Sequence, residues 1–188
     1  MPKFSVRPSL TIKGRQFQGL RGFSGKPFHP PLTDVPIGAY VLAAAFDVVS
    51  WLWHAQSWST DFFKAATLVL VAGVVVSLGA ALTGFMDWLA SVPKGTQARR
   101  AANAHAVTML TVTALVVIDI VVRLGHYGGA APTSTFALAA LSVVVALVTA
   151  FGATIGGTLV FDYGANVATA GDSPAWHESD RDLMPGEK

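Results

Sequence analysis

The chain has 188 residues, of which 52% are hydrophobic and 13% are charged, whereas soluble domains are about one quarter charged. This composition predicts an all-α integral membrane protein with room for one four-helix bundle and two tails, and for no second domain. Because the chain contains no cysteine, disulfides, thiolate metal sites, covalently attached haem c and a protein-ligated iron–sulfur cluster are excluded.

Residues 1–33 form a basic polar tail with six Lys or Arg residues and no acidic residue. The tail lacks the apolar segment of a signal peptide, and its charge suits contact with anionic lipid head groups or with a protein partner. Four prolines follow between residues 27 and 36. Proline restricts its own backbone and that of the preceding residue, so we expect an extended segment up to about residue 36.

Four apolar segments come next, each long enough, at about 1.5 Å per residue, to cross a hydrocarbon layer of about 30 Å. They predict a membrane bundle over residues 34–161, with helices at residues 35–53, 62–90, 101–124 and 134–161. We expect Thr133 or Ser134 to cap the fourth helix. No sequence repeat is evident.

Small residues recur along the second and fourth helices, at Gly73, Ser77, Ala80 and Gly84 and at Gly152 and Gly156. Lipid tails give helices no hydrophobic reason to associate, so membrane helices rely on close packing at small residues. The two patterns therefore predict a compact bundle.

Basic residues predict the orientation of the spans. The tail has six, and the loop at residues 91–100 has three, whereas the loops at residues 54–61 and 125–133 have none. Lys and Arg favour the cytoplasmic side. The pattern therefore predicts a multi-pass protein of the bacterial inner (cytoplasmic) membrane with both termini in the cytoplasm, where the basic tail and an acidic tail at residues 162–188 share one compartment.

Asp47, Asp119 and Arg123 are predicted to meet in the outer half of the bundle, since ionisable residues are costly inside a membrane. One interpretation is a structural ion pair that fixes helix register. The alternative is a proton-linked small transporter that uses the two carboxylates. Residues 68–82 and 138–150 contain no charge, so a complete path across the bundle is not expected.

His29, Asp34, Asp87 and His105 are predicted to lie together at the cytoplasmic end of the bundle. Imidazoles and carboxylates at this level could bind a divalent metal such as zinc or iron. The competing interpretation is structural: the histidines make hydrogen bonds that tie the proline-rich segment to the third helix.

The histidines also suggest a cofactor. His29 with His105, or His54 with His126, could be the axial ligands of a b-type haem between the first and third helices. Parallel helices with histidines near both ends are compatible with either pair, but His29 is expected in the proline-rich segment and His54 in a loop.

Several short motifs resemble a known family. Residues 25–38 read GKPFHPPLTDVPIG, residues 84–88 read GFMDW, and residues 156–160 read GGTLV. Together with Arg100, His105 and Gly164 they resemble a widespread, uncharacterised bacterial family of four-helix membrane proteins, over roughly residues 25–167. The resemblance implies one four-helix domain. Some relatives resemble fusions to Rieske-type iron–sulfur domains, which implies an association with electron transfer.

The chain departs from this family at two positions. Relatives often have a histidine where Lys26 stands, and a histidine or basic residue where Tyr163 stands. If those positions hold ligands in relatives, this chain has lost them.

These features predict a non-catalytic accessory subunit of a larger membrane assembly, respiratory or otherwise engaged in electron transfer. No nucleophile–base set suggests an enzyme, and no motif suggests nucleic-acid binding. The expected partners are membrane lipids and other membrane subunits. The two alternatives are a membrane redox protein with haem b or a divalent metal at the His/Asp cluster, and the proton-linked transporter.

Overall fold

The computed structural model describes residues 27–165, which form four long helices. These are α1 (His29–Leu52), α2 (Ser59–Ser91), α3 (Gln97–Tyr127) and α4 (Phe136–Phe161), and no strand occurs in this range. All four are long and apolar enough to cross a membrane. The prediction of an all-α four-helix membrane bundle is confirmed. Most of the basic tail and of the acidic tail lies outside the described residues.

Helix α1 begins at His29, so the prediction of an extended proline-rich segment up to residue 36 is wrong. Pro30 and Pro31 occupy the first turn, where a backbone N–H would have no partner inside the helix and its absence costs nothing. Pro36 lies inside the helix and removes one hydrogen bond. The early start places His29 on a helix rather than in a loop.

The helices form a four-sided bundle. Helix α1 packs against α2 and α4, and α3 packs against the same two helices, while the diagonal pairs α1/α3 and α2/α4 are not neighbours. The core is apolar and contains Tyr40, Leu70, Val112, Val116 and Val145. Large apolar side chains such as Leu82, Val107 and Leu147 point outward, as expected where the solvent is lipid.

The two helical hairpins place corresponding positions in the core. Four buried residues of α3 each lie 76 residues after a buried residue of α1: 36 and 112, 40 and 116, 43 and 119, and 47 and 123. Six buried residues of α4 likewise follow buried residues of α2 by 72: 66 and 138, 67 and 139, 70 and 142, 73 and 145, 77 and 149, and 80 and 152. The hairpins α1–α2 and α3–α4 therefore repeat the spacing of their buried positions, although the residues at those positions differ.

Glycines bring the helices of each hairpin together, as the small-residue patterns predict. A Cβ at Gly73 would lie 2.8 Å from the Cβ of Ala39 and 2.9 Å from Cε1 of Tyr40. A Cβ at Gly152 would lie 2.6 Å from Sδ of Met109. These distances are shorter than van der Waals contact. At Gly73 the neighbouring Cβ is fixed to the α1 backbone, so only glycine permits the observed spacing, whereas at Gly152 the flexible side chain of Met109 would have to move.

Gly73→Ala is expected to destabilise the bundle by about 1–3 kcal/mol, because the Ala39 Cβ is fixed to the α1 backbone and cannot rotate away. The matched control is Gly79→Ala on the same helix, where a Cβ meets nothing within 4 Å. Thermal unfolding in detergent, followed by circular dichroism, compares the two. Equal melting temperatures would contradict a close α1–α2 contact at Gly73.

Candidate functional site

A buried ion triad joins α1 to α3 near the ends of the first and third spans. Arg123 donates from Nη1 and Nη2 to both carboxylate oxygens of Asp47, with Nη1 2.9 Å from Oδ1. Its Nε donates to Oδ1 of Asp119 at 2.9 Å. All three side chains are 0% exposed. The structure thus brings together the three residues that the sequence predicts as an ion pair, in the bidentate geometry that makes such hydrogen bonds strong.

Two serines complete this group, which we call the Asp–Arg cluster (Asp47, Asp119, Arg123, Ser134 and Ser142). Ser134 donates from Oγ to Oδ1 of Asp47 at 2.6 Å, and its backbone N–H donates to Oγ of Ser50. Ser142 lies between the two carboxyl groups.

Neither serine is predicted from the sequence as a member of this site. Ser134 is expected there as a possible cap of the fourth helix, but Thr135 caps α4 by accepting from the N–H of Leu138. Ser142 stands in an apolar segment whose nearest polar residue along α4 is Thr149. This isolation is the one signal in the sequence that could have indicated a role for Ser142.

An aromatic ring closes the Asp–Arg cluster. Phe63 of α2 is fully buried, and its ring centre lies 5.6 Å from Cζ of Arg123, a cation–π distance. Every helix of the bundle therefore contributes a side chain at this level. A buried ion group of this kind can fix which helices pair and in which register.

The second group is a pair of histidines at the opposite end of the bundle. Nδ1 of His29 lies 2.9 Å from the carbonyl oxygen of Ala80 on α2, and Nδ1 of His105 lies 2.8 Å from that of Gly152 on α4. A carbonyl only accepts, so each Nδ1 carries a hydrogen, and a neutral ring then keeps its lone pair on Nε2. The ring centres are 6.4 Å apart and the ring planes meet at 85°.

Each histidine lies against a glycine one turn beyond its carbonyl partner. A Cβ at Gly84 would lie 2.7 Å from Cε1 of His29, and one at Gly156 would lie 3.0 Å from Cε1 of His105. The histidines keep the offset of 76 residues between hairpins, and the two glycines keep the offset of 72. Both hairpins therefore hold an imidazole with the same contacts, a backbone carbonyl and a glycine, and the two imidazoles face each other across the bundle.

The other predicted ligands do not join this pair as a metal site. Within residues 27–165, no three His, Cys, Asp or Glu side chains come together in a group that could hold a metal ion. Asp34 is exposed and Asp87 is half-buried. The set of His29, Asp34, Asp87 and His105 is therefore not assembled as a four-ligand site, because the carboxyl groups do not converge on the imidazoles.

The alternative haem pair has a different local structure. His54 and His126 are exposed. Nδ1 of His54 contacts the carbonyl oxygen of Trp51, three residues earlier. Nδ1 of His126 contacts that of Val122, one turn earlier on its own helix. These contacts are local to each segment, whereas His29 and His105 each bridge to a neighbouring helix.

The two groups lie far apart along the bundle. His29 precedes Asp47 by 18 residues, and His105 precedes Arg123 by 18, which corresponds to about 27 Å of helix.

A protein-family model described as "Predicted membrane protein (DUF2231)" matches residues 25–169 and so includes both groups. The chain belongs to this family. No curated protein and no solved structure matches the chain significantly.

Membership of the family agrees with the resemblance seen in the sequence motifs and with the four membrane-length helices. The family has no assigned function. Any functional conclusion therefore depends on the geometry of the histidine pair and of the Asp–Arg cluster.

Proposed function

We propose that this member of the family is a membrane redox protein that binds one b-type haem through His29 and His105, and that it serves as an electron-transferring accessory subunit of a larger membrane assembly. The observation that carries the proposal is the histidine pair itself. Two half-buried imidazoles on diagonal helices lie with their ring centres 6.4 Å apart.

This separation suits one metal ion held between the two rings. A metal–imidazole bond is about 2.0–2.1 Å and the ligating nitrogen lies about 1.1 Å from its ring centre, so a linear arrangement separates the ring centres by about 6.3 Å. The observed 6.4 Å agrees with that value.

The number of ligands favours haem over a bare divalent ion. Protein zinc sites use three or four protein ligands, and the described residues offer no third ligand beside the histidines. Haem iron is already held by the four porphyrin nitrogens and takes its axial ligands from the protein. When bound, haem supplies one-electron transfer, and the two histidines would set its position and potential.

The backbone carbonyls support a ligating role for these histidines. Metal-bound imidazoles generally donate their second N–H to a carbonyl or carboxylate, which fixes the tautomer and makes the ligand more basic. The carbonyls of Ala80 and Gly152 provide this contact for His29 and His105. Gly84 and Gly156 let each ring pack directly against the backbone of the neighbouring helix, which holds it in place.

We also propose that both termini face the cytoplasm across a bacterial inner membrane. Four crossing helices place both chain ends on the same side, and the distribution of Lys and Arg favours the cytoplasm for that side. The histidine pair then lies near the cytoplasmic face. The basic residues of the first 33 positions and the acidic residues after position 161 provide charge of both signs for contact with other subunits.

Absorbance spectroscopy tests the haem. The protein purified in mild detergent from haem-replete cells is expected to show a Soret band and reduced-state α and β bands. His29→Ala and His105→Ala should each abolish bis-histidine ligation and remove most of the bound haem. His54→Ala, which changes an exposed histidine, should leave the spectrum unchanged. A colourless wild-type protein would exclude the proposal.

Isolation from native membranes tests the accessory role. We expect the tagged protein to co-purify in stoichiometric amounts with other membrane subunits that carry redox centres. Recovery of the protein alone, with its haem retained, would leave the redox site intact but rule out a stable assembly.

A further inference from the structure

The Asp–Arg cluster has one more acidic group than basic groups. Asp47 and Asp119 face a single guanidinium, that of Arg123, and all three side chains are 0% exposed. Their other described partners, the hydroxyls of Ser134 and Ser142 and the ring of Phe63, carry no charge. With both carboxyls ionised, the cluster would hold a net negative charge away from water, which is strongly unfavourable unless it is neutralised.

The hydrogen-bond pattern around Ser142 also indicates that the cluster needs one additional hydrogen. Its Oγ contacts Oδ2 of Asp47 and lies 3.0 Å from Oδ2 of Asp119, and it accepts from Nη2 of Arg123 at 3.2 Å. A hydroxyl has one hydrogen and cannot donate to both carboxyl groups. If Oδ2 of Asp119 carries a hydrogen, it donates to Ser142, which then donates to Asp47, and each contact of the Ser142 hydroxyl has its hydrogen.

The two carboxyl groups are not equivalent. Asp47 accepts hydrogen bonds from both terminal nitrogens of the Arg123 guanidinium and from the hydroxyl of Ser134. Asp119 receives Nε at 2.9 Å and a longer contact from Nη2 at 3.3 Å. Hydrogen bonds from charged donors stabilise a carboxylate most. Asp47 is therefore the better-stabilised anion, and Asp119 is the better place for the additional hydrogen.

We infer that the Asp–Arg cluster is a proton-binding site, which holds one proton on Oδ2 of Asp119 as a part of the membrane-embedded structure. The inference does not depend on the proposed haem, which would lie about 27 Å away along the bundle. Because the carboxyl groups, the guanidinium and Ser142 are sealed from solvent, the proton neutralises the cluster and exchanges with water only slowly. A proton-linked transporter would instead require rapid exchange at this site.

Infrared spectroscopy of the lipid-reconstituted protein tests the inference. At neutral pH the wild type is expected to show the C=O stretch of a protonated carboxylic acid, with a slow shift after transfer to deuterated water. Asp119→Asn should remove this band. Asp47→Asn should remove it too, because Arg123 then neutralises an ionised Asp119 on its own. Asp61→Asn, which changes an exposed acid in the first turn of α2, should leave the band unchanged.

Each alternative result overturns the inference. Absence of the band in the wild type would mean that the cluster carries its negative charge or is neutralised by something other than a proton. Survival of the band in Asp47→Asn would show that charge balance does not hold the proton. Rapid exchange in deuterated water would contradict a sealed site and favour transport.

Substitution of the two serines tests which carboxyl group holds the proton, without a change in the charge of the cluster. Ser142→Ala removes the acceptor of the Asp119 hydrogen, so the band should move to higher frequency. Ser134→Ala, which affects only Asp47, should leave the frequency unchanged. A shift in Ser134→Ala, with or without a shift in Ser142→Ala, would place the proton on Asp47 and contradict the assignment to Asp119.

Discussion

Replacement of Arg123 by Met is expected to destabilise the bundle by about 3–5 kcal/mol, the range measured when one partner is removed from a buried ion pair. Arg123 holds Asp47 and Asp119 by four hydrogen bonds. Its loss leaves two buried carboxyl groups with no cation between them. Loss of stability on this scale is a large part of the total for a small domain, so low accumulation in the membrane is the first expected sign.

A neutral triple variant separates charge from packing. Asp47→Asn and Asp119→Asn combined with Arg123→Met remove every ionisable group of the cluster while they keep similar side-chain volumes. Such replacements of whole buried ion groups are often neutral or stabilising, so the triple variant should recover most of the lost stability. Thermal unfolding in detergent compares the variants. If the triple variant is as unstable as Arg123→Met, the loss is due to the Arg123 side chain's packing rather than to uncompensated charge.

The bundle and the ion triad are both predictable from the sequence, and for the same physical reason. Long apolar segments have few alternatives to crossing a membrane as helices, and a charge inside such a segment must find a partner. The apolar surroundings of Asp47, Asp119 and Arg123 are therefore enough to predict that these three residues meet. The serines that complete the cluster are not predictable in this way, because hydroxyls are tolerated in membrane helices with or without such a role.

The start of α1 differs from the prediction because proline has two opposite effects that depend on position. Prolines disfavour a helix that continues into them, but they suit a first turn. The four prolines between residues 27 and 36 indicate an extended segment if they only interrupt a helix. Pro30 and Pro31 instead lie in the first turn of α1, where proline is favourable. The difference matters for the site, because the structure fixes His29 on α1 rather than leaving it in a loop.

The repeat between the hairpins is not evident in the sequence because the corresponding residues differ in chemistry. Asp47 corresponds to Arg123, and Leu70 corresponds to Ser142. Two helices that face each other across the bundle can pair through opposite charges at corresponding positions. The two hairpins can therefore differ in residue type at these positions and still keep the same spacing of buried residues. His29 and His105 are the functional candidates that keep their identity across the repeat.

Gly84→Ala is expected to weaken haem binding by about 10–100-fold, the usual cost of disturbing a contact that orients a metal ligand. The new Cβ would lie 2.7 Å from Cε1 of His29 and 2.9 Å from its Nδ1. The ring is the movable end of a side chain, so it should rotate away and lose its hydrogen bond to Ala80. Alanine also favours the helix over glycine by about 0.5–1 kcal/mol, so the melting temperature of the haem-free protein should change little.

The repeat supplies a graded series for this experiment. A Cβ at Gly156 lies 3.0 Å from Cε1 of His105, a milder approach than that at Gly84, and a Cβ at Gly79 meets nothing within 4 Å. Haem occupancy, measured from the Soret band against protein concentration, should therefore fall most in Gly84→Ala, less in Gly156→Ala and not at all in Gly79→Ala. Normal occupancy in Gly84→Ala would mean that the orientation of His29 does not control the cofactor. Equal loss in all three variants would point to general helix packing instead, since only the first two glycines lie against an imidazole.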